Sequence, residues 1–315
     1  MKKLLIALLT LLLLVGCSGG EKPEEPEEKV FHVGILQFVQ HEALDAATKG
    51  FKDALTGLLG ERVVFDDQNA SGETAQSAMI ANQFVAEDVD LIFANATPAL
   101  QDAVTATDSI PIVATSVTSF KVALSIDNWN GTTGINATGT SDLAPLDQQA
   151  AQVLEIQPDA KKVAIFFCSS EANSVFQADE IEKEFAKLGL ESRRFTFADS
   201  NDIAQVAEAA SDWADVVYIP TDNQAAAYAS EDQFFKPVVA GEAGLCKKCG
   251  AVTISITYYD IGYRAGEMAY DILVNGKDPA SMKVEEVSKT TKMFNPDICN
   301  KYTITVSDDY VDLFK

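Results

Sequence analysis

The stretch Val30–Phe51, VFHVGILQFVQHEALDAATKGF, joins an apolar run to an amphipathic run without a linker. The apolar run is too short for a helix and is typical of a β-strand, with its bulky members at Val33, Ile35 and Leu36. Helical spacing begins next and is carried by Ala43, Leu44, Ala47, Gly50 and Phe51. The stretch therefore predicts a strand, a turn and a helix. In a doubly wound sheet the first strand ends at the binding crevice, which would place Gln37 and Phe38 there.

The remaining chain repeats this unit. Short apolar runs predict strands at 62–65, 90–94, 111–114, 162–167, 193–197, 215–219, 236–240 and 251–256. Amphipathic runs predict helices at 74–85, 99–107, 146–156, 175–188, 203–210 and 261–274. Edge strands are predicted at 129–135 and in the alternating tail around 302–306. Alternating strands and helices indicate an α/β fold, and 47% apolar residues can fill the cores of two lobes.

The N-terminus is predicted to be an export signal. Residues 1–17 begin with two lysines, continue with an apolar run and end at Cys17 among small residues. The ending resembles the bacterial lipobox, in which the cysteine is lipidated and becomes the mature N-terminus. An uncleaved anchor helix is the alternative. Residues 18–29 are rich in Glu, Gly and Pro and are predicted to form a solvated acidic linker. We expect an extracytoplasmic protein tethered to the membrane.

The charge and the motifs exclude several classes of function. A formal net charge of −23 argues against nucleic acid as a partner. Nucleophile-elbow, P-loop, zincin and dinucleotide-binding motifs are missing from the sequence, and the chain has 2 histidines. We therefore expect no catalytic residues, no metal and no cofactor. His41 could contact a ligand as an aromatic lid or hydrogen-bond donor, or could simply cap a helix.

Polar residues follow the predicted strands and should converge on one cleft. With Gln37 and Phe38, the candidate ligand-binding residues are Asn95, Ala96, Thr97, Thr115, Ser116, Ser141, Ser170, Glu171, Asn173, Ser174, Asp222, Asn223 and Glu242. Thr97 is predicted to be an N-cap, and the helix N-termini at 95–97 and 170–174 could hold a carboxylate through backbone N–H groups. Asp222 or Glu242 could hold an ammonium group, so the set predicts an amino acid ligand. The alternative is that the small polar residues are helix caps and the two acids solvated loop residues.

The remaining cysteines and aromatic residues leave alternatives open. Cys246 and Cys249 are bracketed by Gly244 and Gly250, which indicates a turn, and a disulfide between them is possible in an exported protein. A second C-x-x-C, as a zinc site would need, is absent from the sequence. Aromatic residues near the predicted cleft would favour an aromatic ligand by stacking, or belong to the core: Phe38, Phe120, Phe176, Tyr228 and Tyr258.

Several segments together resemble one family. They are the lipobox, VGILQFVQHEALDAATKGF, NATPAL, ATSVT, GTSDLAPLDQQA, SSEANSVFQ, YIPTDN, AGEAGL and TYYDIGYRAGEMAYDIL. In this order they resemble the solute-binding lipoproteins of ABC importers, in the family that contains tryptophan- and tyrosine-binding members.

The resemblance implies two Rossmann-like lobes of the type I periplasmic-binding-protein kind, joined by three hinge crossings near 139–142, 255–257 and 282–286. The first lobe would comprise 30–139 and 257–284, and the second 140–256 and 285–315. A monomer would close on an aromatic amino acid and dock on a membrane permease. Two other functions stay open: a lipoprotein that senses another small polar solute, and an extracytoplasmic enzyme.

Overall fold

The computed structural model describes residues 29–198, 200–286 and 289–315. Its first sheet has five parallel strands in the order β2-β1-β3-β4-β5. The strands are β1 Phe31–Gln37, β2 Val63–Asn69, β3 Leu91–Asn95, β4 Ile112–Val117 and β5 Ala137–Ser141. The helices between them are α1 Glu42–Leu59, α2 Thr74–Ala86, α3 Thr97–Ala106 and α4 Phe120–Ala123.

The second sheet has seven strands in the order β12-β11-β10-β9-β8-β6-β7, parallel except where β11 meets β10. The strands are β6 Lys162–Cys168, β7 Glu191–Phe197, β8 Val216–Ile219, β9 Val238–Ala240, β10 Val252–Ser255, β11 Thr291–Phe294 and β12 Val311–Asp312. Its helices are α5 Leu146–Ile156, α6 Ala172–Lys187, α7 Ile203–Trp213, α8 Asn223–Tyr228, α9 Ala243–Cys249 and α11 Pro296–Lys301, whereas α10 Tyr258–Leu273 packs on α1 and on the first sheet.

Each sheet is the centre of one lobe. We call the sheet β2-β1-β3-β4-β5 with the helices packed on it the first lobe, and the seven-stranded sheet with its helices the second lobe. Apolar residues fill both faces of each sheet, as expected when helices cover a parallel sheet. The predicted two-lobed α/β fold is confirmed.

The chain passes between the lobes three times. It leaves the first sheet after β5, returns between β10 and α10, which packs on α1, and leaves again before β11. The first and third passages lie side by side, because Ser141 N donates to Glu285 O at 2.8 Å and Glu285 N donates to Gly139 O at 2.9 Å. The residue bounds predicted for the two lobes remain a prediction.

Three predicted local structures are wrong. Within the described chain, segment 129–135 consists of bends with a single β-bridge, between Thr132 and Lys283, instead of an edge strand, because Asn130 and Thr133 side chains bind nearby backbone groups and compete with strand pairing. The tail around 302–306 is likewise not a strand, because Ile304 N turns back to donate to Cys299 O at 2.8 Å. Instead, β11 and β12 complete the second sheet.

The third concerns the segment around Cys246 and Cys249. It is helix α9 and not a turn, because the buried Glu242 carboxylate caps the helix at Gly244 and Leu245. Both cysteines are free, buried thiols in this structure. Burial raises the pKa of the Cys249 thiol to about 12, which disfavours the reactive thiolate.

The predicted signal peptide, Cys17 and the acidic linker up to residue 28 lie outside the described residues. Among the helices of the described part of the chain, none combines the length and the apolar character that crossing a bilayer requires.

Candidate functional site

The end of β3 and the start of α3 form one wall of the site. The helix begins at Thr97, so the predicted N-cap is wrong by one residue and Ala96 occupies that position. Ala96 has φ 100°, a conformation that costs about 1–3 kcal/mol in a residue other than glycine. Because Thr97 is the first residue of the helix and Ala96 is the N-cap, the Thr97 hydroxyl is not used as a cap.

The end of β4 lies beside it. Ser116 has φ 56°, and Ala96 N donates to Thr115 O at 3.1 Å. Among the described residues, the buried hydroxyls of Thr97 and Ser116 have no hydrogen-bond partner. The first N–H groups of α3 lack partners within the helix, so this wall offers several donors to an anion.

Asn95 presents an acceptor at the same wall. Its Nδ2 donates to Leu44 O at 2.8 Å and to Thr48 Oγ1 at 2.9 Å, which leaves Oδ1 buried without a partner in the described chain. The Thr48 hydroxyl in turn donates to Gln37 Oε1 at 2.7 Å. Gln37 also donates to Asp45 Oδ1 at 2.7 Å, so its polar atoms bind within the first lobe. Gln37 therefore orients Asn95 through Thr48. The Phe38 side chain packs in the core of this lobe.

The second lobe contributes two buried acids that act as helix caps. Asp222 accepts from Ala225 N at 2.8 Å, from Cys168 N at 2.7 Å and from the Ser174 hydroxyl at 2.7 Å. Glu242 accepts from the first N–H groups of α9. The two acids are 1% and 2% exposed, so neither is a solvated loop residue. Their carboxylates are engaged by protein donors, which their positions in the sequence did not reveal.

Glu171 caps α8 from a neighbouring loop. Its Oε1 accepts from Gln224 N at 3.0 Å, and its Oε2 accepts from the Asn223 backbone and side chain at 3.2 and 2.6 Å. Burial and the nearby charge of Asp222 raise the pKa of Glu171 above its usual value, and burial does the same for Asp222. A cation bound nearby would stabilise both carboxylates in their charged form.

Asn173 lies beside these acids at the start of α6. Its Nδ2 donates to Thr221 O at 3.0 Å and to Glu171 Oε2 at 3.1 Å. Its Oδ1 is buried and has no partner within the described ranges. The second lobe therefore also presents an acceptor whose orientation is set by its neighbours.

The two lobes touch where these walls meet. His41 Nε2 lies 3.4 Å from Asn223 Oδ1, and Gln224 Nε2 donates to Gly72 O at 2.9 Å. Lys247 also forms an ion pair with Glu42 across the gap. The polar residues of both walls are therefore enclosed between the lobes.

Three predicted site residues have their side chains engaged elsewhere. The Ser170 side chain is exposed and contacts Cys168 Sγ at 3.0 Å. The Thr115 hydroxyl pairs with that of Thr140 at 2.7 Å, and Ser141 Oγ donates to Thr118 O at 3.0 Å. The structure thus places Asn95, Ala96, Thr97 and Ser116 on one wall and links Glu171, Asn173, Ser174, Asp222 and Asn223 by hydrogen bonds on the other, whereas Glu242 caps α9.

Asp142 was not among the predicted binding residues, and for His41 the sequence left open a ligand contact and a helix cap. The Asp142 carboxylate joins the crossing after β5 to the start of α10, since it accepts from Tyr258 OH at 2.9 Å and from Thr118 Oγ1 at 3.1 Å. Burial raises the pKa of Asp142 to about 6. For His41, the available signal was its position between the first strand and the first helix.

Of the predicted aromatics, Phe120 lies in the core and Tyr228 is 45% exposed.

Cavities also lie outside the enclosed site. One of about 250 Å³ lies at the hinge, beside Arg264 and Glu285. A groove of about 990 Å³ lies between α4, which carries Lys121, and the half-buried Phe176 on α6. Within the described ranges, no cluster of three or more His, Cys, Asp or Glu side chains is arranged to hold a metal ion.

Comparison with known proteins identifies the family. A sequence model described as "ABC transporter substrate binding protein" matches residues 32–313. This chain belongs to that family. The substrate-binding protein has the two-lobed α/β fold of type I periplasmic binding proteins.

Two relatives carry information about ligands. The substrate-binding protein is 31% identical over 311 residues to the "Tyrosine-binding protein" of Clostridioides difficile, covering 93% of this chain and 89% of the relative. It is also similar to a solved Streptococcus domain in complex with L-Trp, at 28% identity and TM-score 0.82, covering 89% of this chain and 97% of that one.

A third relative is a ligand-free, open substrate-binding protein from Clostridium difficile. Its identity is 33% and its TM-score 0.66, covering 90% of this chain and 99% of that one. The score is lower than for the L-Trp complex although the identity is higher. The whole-chain fold of this substrate-binding protein thus superposes better on the L-Trp complex than on the ligand-free, open relative.

Proposed function

We propose that this substrate-binding protein captures an amino acid, with a preference for aromatic side chains, and delivers it to the permease of an ABC importer. The observation that supports this most directly is that buried polar atoms on both walls, those of Asn95, Thr97, Ser116 and Asn173, have no partner among the described residues. Buried polar groups are normally hydrogen-bonded, so this set points to a polar ligand enclosed there. The relatives named for tyrosine and bound to L-Trp support the ligand class.

The walls suggest how a zwitterion is held. The carboxylate would lie against the N-terminus of α3, where the Thr97 and Ser116 hydroxyls and backbone N–H groups can donate. The ammonium group would bind neutral acceptors, Asn95 Oδ1 and Asn173 Oδ1, with Glu171 and Asp222 behind them as a source of negative potential. This replaces the direct role first predicted for Asp222 or Glu242, because those carboxylates cap helices.

Binding would act through a shift between open and closed forms. A ligand that contacts both walls at once stabilises only the form in which the lobes meet. The contacts of Gln224 with Gly72 and of His41 with Asn223 are made in that form. The closed substrate-binding protein would then be the species that the permease recognises.

A titration with matched ligands tests the proposal. We expect L-Trp, L-Tyr or L-Phe to raise the melting temperature by about 5 °C or more at a hundredfold excess over Kd. Tyramine lacks the carboxylate and N-acetyl-L-tyrosine lacks the ammonium group, so both should bind far more weakly. Stabilisation by sugars or nucleosides alone would show that the proposed ligand class is wrong.

We propose in addition that the lipidated Cys17 tethers the protein to the outer face of the cell membrane. The support is the lipobox-like ending of the apolar segment. Cys17→Ala should move the protein from the membrane fraction to the soluble extracytoplasmic fraction. Retention of the variant in the membrane fraction would favour an uncleaved anchor helix instead.

A further inference from the structure

The hydrogen bonds around Asn223 determine which atoms of its side chain donate. Glu171 Oε2 accepts from the Asn223 backbone N–H at 3.2 Å, and the Asn223 side-chain atom 2.6 Å from the same oxygen is Nδ2. A carboxylate oxygen that receives these bonds acts as an acceptor, so the amide NH₂ group points toward Glu171. The other end of the amide, Oδ1, faces His41 and can only accept.

This orientation selects the tautomer of His41. Its Nε2 lies 3.4 Å from Asn223 Oδ1, so Nε2 must carry the hydrogen and donate. Burial lowers the pKa of His41 to about 4, so the ring is neutral at pH 7. In a neutral imidazole with hydrogen on Nε2, Nδ1 is an acceptor with a free lone pair.

The free acceptor is buried at the meeting of the lobes. His41 is 8% exposed and precedes the first turn of α1, and its side chain does not cap that helix. Nδ1 has no hydrogen-bond partner among the residues that the structure describes. Leaving a buried acceptor unsatisfied costs about 1–3 kcal/mol, which a donor on a bound molecule would recover.

We propose that Nδ1 of His41 accepts a hydrogen bond from an N–H or O–H group of the bound amino acid, so that His41 selects ligands that carry a donor at this position. The inference rests on the proposed function and adds a specificity-determining residue to it. The donor is either the ammonium group, which all amino acids share, or the indole N–H or phenol O–H of an aromatic side chain.

Two variants separate ligand recognition from contact between the lobes. His41→Gln places an amide near the former Nε2 and can still donate to Asn223, but it lacks an acceptor at the δ position. His41→Asn keeps an acceptor, Oδ1, near the former Nδ1, but its shorter side chain does not extend to Asn223. His32→Gln is the matched control, because His32 is the other histidine and its side chain is exposed.

Isothermal titration with L-Trp, L-Tyr and L-Phe is the readout. We expect His41→Gln to weaken binding about 10-fold and His41→Asn to weaken it less, by about 5-fold, because His41→Asn loses only the contact with Asn223 between the lobes; His32→Gln should stay within about 3-fold of the parent protein. If His41→Gln loses affinity for all three ligands, the donor is the ammonium group. If it loses affinity for L-Trp and L-Tyr alone, the donor is the indole N–H or phenol O–H group. Unchanged binding in His41→Gln, or a larger loss in His41→Asn, overturns the inference.

The tautomer can be measured without relying on affinity. Long-range ¹H–¹⁵N spectra of the His32→Gln variant contain one histidine, with and without added amino acid. We expect the Nε2–H form at pH 7, and an Nδ1–H or imidazolium signal in both samples overturns the inference even if binding is normal. A parent protein that shows the Nε2–H form and binds none of the three amino acids would instead overturn the proposed function.

Discussion

Thr97 begins α3 just after β3 and Thr115 lies in the neighbouring strand β4, yet their hydroxyls have opposite surroundings. Thr115 pairs with Thr140 at 2.7 Å, whereas the buried Thr97 hydroxyl has no partner in the described chain. A hydroxyl satisfied inside the protein contributes to stability, and one that is free in the site is available to a ligand. The sequence could not separate the two roles, because both residues come shortly after a run that predicts a strand and both are typical caps.

Thr97→Val should therefore weaken amino acid binding about 10-fold without lowering stability, since it removes a donor that no described protein group uses. Thr115→Val should do the reverse: nearly unchanged affinity, and a free energy of unfolding lower by about 1 kcal/mol. Titration calorimetry and urea denaturation measure the two quantities. Equal affinities for Thr97→Val and the parent protein would remove Thr97 from the site.

The raised pKa of Glu242 predicts that stability depends on pH. Burial raises its pKa to about 7 in the folded protein, above the ordinary value near 4.5 that the unfolded chain retains. Between these values the folded state binds more protons than the unfolded state, so this group's contribution to stability falls as pH rises from about 4.5 to 7. The slope is at most about 1.4 kcal/mol per pH unit.

Glu242→Gln removes this titration. The free energy of unfolding of the parent protein, relative to the variant, should fall as the pH rises through that window and level off above it. Glu73→Gln, at an exposed acid, controls for the loss of one charge. Parallel pH profiles for Glu242→Gln and the parent protein would contradict the pKa shift.

At the scale of elements, the first lobe depends on close contact between α1 and α10. A Cβ added at Gly262 would overlap the Ala47 carbonyl oxygen, and one added at Gly266 would lie 2.7 Å from Phe51 O. The small residues Gly262, Ala265, Gly266 and Ala269 recur at helical spacing on α10 and permit this close packing. The partner helix was not predicted, because α10 is separated from α1 by about two hundred residues along the chain.

Gly262→Ala should lower the free energy of unfolding by about 1–3 kcal/mol, because the backbones must move apart to make room. Gly57→Ala is the control on α1, since a Cβ there meets no atom within 4 Å. It should stabilise the helix by about 0.5–1 kcal/mol. Urea midpoints measure both, and equal effects at the two positions would rule out the packing constraint.

At the scale of the whole molecule, function depends on contacts that exist only while the lobes meet. The Gln224 side chain on α8 donates to Gly72 O in the first lobe at 2.9 Å. Its backbone N–H binds Glu171 within the second lobe, and a side-chain substitution leaves that bond in place. Gln224 therefore offers a way to weaken closure without disturbing either lobe.

Gln224→Ala should reduce amino acid affinity about 5-fold, since it removes one hydrogen bond of the closed form. Small-angle scattering at subsaturating ligand should show a larger fraction of the open form. Gln83→Ala is the matched control, because it also removes a glutamine side chain, and that side chain binds Glu87 at the end of α2 within the first lobe. A normal affinity for Gln224→Ala would mean that this contact does not contribute to closure.

Local periodicity was sufficient to predict most strands and helices and the positions where polar residues follow strands, whereas the two-lobed class came from the composition of the chain and the family resemblance. The physical reason is that burial on one face of an element leaves a short-range pattern in the chain. The structure alone decided that Asp222 and Glu242 cap helices, that the Thr97 hydroxyl is free, and that 243–249 is helical. It also decided that His41 meets Asn223, 182 residues away in sequence. These features depend on which groups tertiary packing brings together, and residue type at a strand end carries no record of its partner.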